Sequence, residues 1–202
     1  MNNIKLTGIL KNIKDSHKIG NVEYCKANII TTREQDGKDD ILTVCFKKFS
    51  NPYKDGDNVS FEGNIRSYSY KQEGKNKVDV YVFTYFDIPE EQENEKSNNA
   101  VVDGRICRMD EMHITRSGKN CLHFILANNL TSVEHKLNSY IPCVAWGQVA
   151  RDIEKLGVSS IITIYGELHS REFKKTLDNG EIEIRVAHEL SVDDFQTGST
   201  AE

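Results

Sequence analysis

Two stretches of this 202-residue chain repeat one another, and that repeat restricts the fold more than any other feature. Gly8 in KLTGILKNI returns as Gly104 in VVDGRICRM, 96 positions on. At the same spacing Cys25 in YCKANIITT meets Cys121 in NCLHFILAN. Leu42-Thr43-Val44-Cys45-Phe46 matches Pro142-Cys143-Val144-Ala145-Trp146 at 100, and Val59-Ser60-Phe61-Glu62-Gly63 matches Ile162-Thr163-Ile164-Tyr165-Gly166 at 103. Val78, Val80 and Val82 match Ile182, Ile184 and Val186 at 104. Five segments kept in order, with a spacing that grows only where a loop can lengthen, mark a duplicated unit. Two unrelated β-rich blocks are the alternative.

Within each copy the dominant period is two. Val59, Phe61, Gly63 and Ile65 alternate with Ser60, Glu62, Asn64 and Arg66, and Ile162, Ile164, Gly166 and Leu168 alternate in the same way. Such alternation marks a strand buried on one face. Gly63 and Gly166 hold matching inward positions, where a residue without Cβ suits a bulge or a barrel corner. Turns near Gly74 and at Asp178-Asn179-Gly180 lead into another alternating strand, making five strands per copy. Between the third and fourth, the second copy has GQVARDIEKLG, in which Val149, Ile153 and Leu156 share one helical face. The first copy has KKFSNPYKDGDN there, with Pro52, and reads as a loop or a single turn.

Five strands with an optional helix at that point is the plan of an oligonucleotide-binding (OB) barrel. The sequence predicts an all-β chain of two five-stranded OB-fold barrels in tandem, the second with a short helix between strands 3 and 4. The polar, acidic EEQENEKSNN reads as a linker. It divides the chain into a first domain over 1–89, a linker over 90–99, a second domain over 100–195 and a flexible tail over 196–202.

Composition narrows the function. Hydrophobic residues make up 38% of the chain, low for one large core and better suited to two thin ones. A net charge of -5 excludes a uniformly basic binder of nucleic acid, because phosphate affinity comes from Lys and Arg. Residues 1–90 carry 14 basic and 13 acidic groups, and residues 101–195 carry 11 and 14, so any such surface must be local. The five cysteines form no C-x-x-C pair and sit in apolar runs, which reads as small core residues in a reducing cytoplasm. MNNIKLTG carries no signal-peptide pattern and no run reaches membrane-span length, so a cytoplasmic protein without a membrane role is expected. The six histidines show no convincing ligand cluster, and neither metal nor other cofactor is expected. Asp39-Asp40 and Asp193-Asp194 read as solvated charge, and no phosphate-binding or nucleophile motif occurs, so an enzyme is not expected.

One face of the fourth strand does carry a signal. Its outward register in the second copy reads Tyr165, Glu167, His169, Arg171 and Phe173, with Lys174 and Lys175 next. The first copy shows Arg66, Tyr68 and Tyr70, followed by Lys71, Lys75 and Lys77. Aromatics that stack bases, interleaved with cations that hold phosphates, suit a groove tracking a single strand. Exposed aromatics also favour strands for their own sake, and Trp146 fits either core or surface.

The second copy resembles the bacterial single-stranded DNA-binding protein family over residues 100–194, through VVDGRICRMDE, TRSGKNCLHFILANN, YIPCVAWGQVARDIEKLG and IYGELHSREFKK. LTGILKNI and FEGNIRSYSY carry the same plan in the first copy. The resemblance implies an open barrel that binds single strands by stacking and phosphate contact. By position it implies Tyr140, Trp146 and Phe173 as stacking residues in the second copy and Phe46 and Tyr70 in the first. Asp40 then stands where Tyr140 does, and Asn128 and Asn129 stand where a further aromatic is expected. With the basic residues, the expected DNA-contacting set is Tyr140, Trp146, Arg171, Phe173, Lys174 and Lys175, and Phe46, Arg66, Tyr68, Tyr70 and Lys71. The expected partner is single-stranded DNA in replication, recombination or transfer, with replication or recombination proteins as further partners. The family's acidic tail with an aromatic tip is only faintly matched by Val192-Asp193-Asp194-Phe195, which QTGSTAE follows. Four barrels around one strand, as in the family, imply a homodimer of a two-barrel chain. The rival reading is an assembly module that keeps the OB fold with little affinity for DNA.

Overall fold

The computed structural model describes residues 1–48, 53–72, 74–87, 98–131, 136–176 and 180–198. Most of the predicted linker, the Asp178-Asn179 turn, Pro52 and the end of the tail lie outside the described residues. In chain order the elements are β1 (Asn2–Ile19), β2 (Val22–Thr32), β3 (Asp39–Lys47), β4 (Asn58–Gln72), β5 (Lys75–Asp87) and β6 (Asn98–Met109). They continue with β7 (His113–Ile114), β8 (Asn120–Thr131), β9 (Lys136–Trp146), α1 (Gly147–Leu156), β10 (Ile161–Thr176) and β11 (Ile182–Thr197).

Pairing in the first half runs β1-β2-β3-β5-β4 and back to β1, antiparallel except at β3–β5. In the second half it runs β6-β8-β9-β11-β10 and back to β6, with β9–β11 parallel. Each half therefore closes an OB-like circuit of five strands. The short β7, on the outer edge of β8, is an addition to the predicted set. Helix α1 lies where GQVARDIEKLG places it, burying Ala150 and Ile153 while Val149 and Leu156 pack half-buried on the core. It rests on β8, β9 and β11.

The two inward glycines are needed for closure. A Cβ on Gly63 would sit 2.4 Å from the Phe83 carbonyl oxygen, and one on Gly166 would sit 2.0 Å from that of Ser191. The register with the following strand shifts between Glu62 and Gly63, and again between Tyr165 and Gly166. A bulge at each place bends the strand, so that its first part pairs with β1 or β6 on one side and β5 or β11 on the other, while its second part continues along β5 or β11.

The register of the repeat differs from the sequence reading in three segments. Leu10 faces Ile29 and Ile106 faces Leu126, which sets β2 against β8 at a spacing of 97. Ile29 faces Leu42 and Leu126 faces Ile141, which sets β3 against β9 at 99. Each slip of one residue turns a strand over. Cys25, in the core, therefore corresponds to Leu122 and not to Cys121, and Phe46 corresponds to Ala145 and not to Trp146. The counterpart of Tyr140 is Ile41, and that of Asp40 is Ser139. Ile65 faces Val82 and Leu168 faces Leu190, so the last strands correspond at 108, because the β10–β11 hairpin is longer. Ile182 and Ile184 stand exposed near its end.

β1 and β6 join the halves antiparallel. Ile4 lies opposite Ala100, its own counterpart, so the seam has local two-fold symmetry: Asn2 faces Val102 and Leu6 faces Asn98. Buried Asn2 donates from Nδ2 to the Ile65 carbonyl at 2.8 Å and accepts from the Ile65 amide at 2.9 Å. Buried Asn98 makes the same fork on Leu168, at 2.7 and 3.0 Å. Asn98 and Asn99, assigned to the linker by composition, are thus structural residues of β6, and Gln196 and Thr197 extend β11 into the predicted tail. Buried apolar side chains of both halves form one continuous cluster.

Candidate nucleic-acid interface

A second junction braces the halves beside this seam. Asp40, 0% exposed, accepts from Arg33 Nη2 at 2.6 Å and Nε at 2.8 Å, from the Ser170 amide at 2.6 Å and from the Ser170 hydroxyl at 3.2 Å. His169 Nδ1 lies 2.8 Å from the other carboxylate oxygen. Arg33 Nη2 also donates to the Ser170 carbonyl at 2.9 Å. Burial alone raises the Asp40 pKa, but Arg33, His169 and the Ser170 amide override it and hold the carboxyl well below the usual range. Asp40 is therefore not a solvated charge. A pair of mirrored bonds supports the junction: the Ile41 amide donates to Ser170 Oγ at 2.9 Å, and the Tyr140 amide to Ser67 Oγ at 2.7 Å.

The expected DNA-contacting residues divide into those on the surface and those withdrawn from it. Trp146 ends β9 just before α1 with 42% of its surface exposed, on the opposite face from core residue Ala145. Tyr140 is exposed near the middle of the same strand. Phe173 is exposed on β10 opposite Arg185, with the Arg171 guanidinium 5.9 Å from its ring centroid. Arg171 also lies 3.5 Å from Glu189. Lys174 is exposed, and the Lys175 side chain lies outside the described residues. In the first half Tyr68 and Tyr70 stack with centroids 5.6 Å apart and planes within 15°. Tyr68 is 60% exposed, Tyr70 faces Lys77 across the hairpin, and Lys71 follows on the surface. Desolvation and the Asp79 carboxylate raise the Tyr70 phenol, keeping it neutral.

Phe46 is the correction. It is 3% exposed and packs on Phe61 and Tyr53, with centroids 5.5 and 5.6 Å away, because the true register of β3 turns it inward. The surface position equivalent to Trp146 belongs to exposed Lys47. Arg66 is half-buried, its guanidinium carbon 3.8 Å from the Phe83 ring centroid. Its charge is thereby drawn back from solvent.

Two clefts bring further residues beside these. A cleft of about 780 Å³ places Trp146 and Arg171 beside Lys119 and beside Arg33 and Lys38 of the first half, with Glu172, Glu189 and Asp193 also lining it. A smaller cleft of about 160 Å³ sets Tyr68 with Tyr81, His17 and Lys26, whose ammonium lies 5.8 Å from the Tyr81 ring centroid. Tyr81 stands directly opposite Arg66, so hairpin alternation carried a signal for it. Arg33 and Lys38 carried none, since they enter from the other half. No helix among the described residues is long and apolar enough to cross a membrane.

Comparison with solved structures gives a close likeness of fold. Wild-type single-stranded DNA binding protein from Thermus aquaticus matches with a TM-score of 0.75 at 15% identity, over 100% of this chain and 95% of that one. A deletion variant of the same protein matches at 0.74 and 16% identity, over 100% and 96%. A search of curated protein sequences finds no match. The profile of the Single-strand binding protein family matches residues 97–197, half of the chain. By that match, the chain belongs to the single-strand binding protein family.

Proposed function

We propose that the chain binds single-stranded DNA without sequence preference, stacking bases on exposed aromatics and holding phosphates with the cations between them. The carrying observation is a feature that both halves share. At equivalent places in the two long hairpins an aromatic faces a cation, Tyr70 opposite Lys77 and Phe173 opposite Arg185. Base stacking needs only a π-face, which every base offers. Trp146, Tyr140, Phe173, Arg171, Lys174 and Lys175 form the second half's contribution, and Tyr68, Tyr70 and Lys71 the first half's, with Arg66 drawn back over Phe83. Phe46 has no place in it. The halves act as two OB barrels in tandem, over 1–89 and from Asn98 to Thr197, and two chains pair into a four-barrel homodimer. The setting is cytoplasmic, in replication, recombination or transfer of DNA alongside other proteins of those processes. No chemistry on the bound strand is involved.

One experiment tests this: titration with oligo-dT and with duplex of equal length, followed by fluorescence of the single Trp146 and by light scattering. Oligo-dT is expected to quench the indole and to bind far more tightly than duplex, with affinity falling steeply as salt rises. The free protein should have about twice the 23.0 kDa mass of one chain. Equal affinity for both DNA forms, or none, overturns the DNA reading in favour of an assembly module. A one-chain mass overturns the dimer alone.

A further inference from the structure

On the outer edge of the second half, three side chains with metal-binding atoms meet. His113 on β7 lies directly opposite Cys121 on β8, and His123 follows Cys121 by two residues on the same face of that strand. Their ligand atoms all lie within 4.8 Å of one another. Cys121 Sγ and His123 Nε2 are 3.6 Å apart, and the two imidazoles lie parallel with centroids 5.7 Å apart. We propose that His113, Cys121 and His123 form a binding site for a borderline-soft divalent transition metal, zinc being the natural candidate.

The geometry carries the proposal in three ways. With metal–sulfur near 2.3 Å and metal–nitrogen near 2.0–2.1 Å, the S···N edge of a zinc tetrahedron spans about 3.5 Å, close to the separation already present. One thiolate and two imidazoles favour zinc, cobalt or copper over magnesium or calcium, which take oxygen ligands. Cys121 is buried and His123 half-buried, and exposed His113 can swing its side chain to converge with them. The same place in the first half acts as an internal control. There the structural counterparts are His17, Tyr24 and Lys26, and His17 stacks on Tyr24 with centroids 5.0 Å apart and planes within 7°. A phenol and an ammonium offer no comparable ligand set, so the site belongs to the second half.

Binding would also be visible from within the protein. Cys121 is paired directly with Trp146 across β8–β9, so an ion held by its sulfur sits one strand away from the indole. This inference does not depend on the DNA-binding reading.

The test is titration of the intact protein with Co²⁺ in a thiol-free buffer. We expect a thiolate-to-cobalt charge-transfer band that saturates at one ion per chain, quenching of Trp146, and displacement by Zn²⁺. Cys121→Ser should abolish the band, while Cys107→Ser, at an exposed thiol on β6, should leave it intact. His113→Ala, at an exposed position where the fold is not at risk, should weaken Co²⁺ affinity at least about tenfold by loss of one ligand. The inference is overturned by absence of a stoichiometric band, by a band that survives Cys121→Ser, or by unchanged affinity in His113→Ala with circular dichroism unaltered.

Discussion

The first half and the second share a strand order but place different chemistry at equivalent points. Where the second half ends β9 on exposed Trp146, the first ends β3 on Lys47. Where the second buries Ser139, the first buries Asp40, whose partners include His169 and Ser170 of the other half. Where the second sets His113 against Cys121, the first stacks His17 on Tyr24. The core positions differ far less: Ile29 and Leu126, Leu42 and Ile141, Ile65 and Leu168 all remain buried aliphatics. Duplication preserved the inward face, which packing constrains, and released the outward face for different tasks. In this division the first half supplies the buried carboxylate of the brace, and the second exposes Tyr140, Trp146 and Phe173 where the first exposes Tyr68.

Substitutions that exchange residues between the halves probe that division. The largest effect is expected at Phe46. Phe46→Ala should cost about 3–5 kcal/mol of stability in urea titration, because it empties a packed site between Phe61 and Tyr53. The affinity of the remaining folded protein for oligo-dT should not change. Weakened DNA binding with unchanged stability would return Phe46 to the interface.

Asp40→Ser comes next, since it gives the first half the residue of the second. Breaking a buried ion pair costs about 3–5 kcal/mol, and because Arg33 keeps 21% of its side chain exposed, the lower end of about 3 kcal/mol is expected. The lock also predicts a pH dependence. The Asp40 carboxyl is held below its ordinary value of 3.8, so its contribution is complete above that pH and is lost as the pH falls further. The stability of the wild type should therefore drop more steeply below about pH 4 than that of Asp40→Ser. Parallel acid profiles would remove the lock from the account.

The smallest effects concern the DNA surface itself. Trp146→Ala and Phe173→Ala should each weaken oligo-dT binding by about 1–3 kcal/mol with the fold unchanged, and Tyr68→Ala and Tyr70→Ala should do so by less. If the first-half substitutions prove equal or worse, the assignment of the two roles is reversed.

Much of this was legible in residue order. Alternation around Gly63 and Gly166 marked the bent fourth strands, and the register shifts fall at those glycines. GQVARDIEKLG marked α1. Of the outward series, Tyr68, Arg171 and Phe173 are exposed, Arg66, Tyr70, Tyr165 and His169 are half-buried, and Glu167 is buried. Aligning Cys25 with Cys121 and Phe46 with Trp146 was a slip of one residue in each case, whereas the last strands were displaced by four because the second hairpin is longer.

By itself the sequence determined the five long strands of each half, their approximate limits, the helix and the repeat, because hydrophobic period, turns and glycines act between near neighbours along the chain. Which face of β2 and β3 points inward was decided only by the tertiary structure. A strand moved by one residue keeps the same period while exchanging its two faces, and only pairing with a distant partner distinguishes them. The tertiary structure likewise joined Asp40 to His169, 129 residues away, and brought His113 to Cys121 and His123. Those groups meet because sheets close and hairpins fold back, and nothing in their local sequence depends on it.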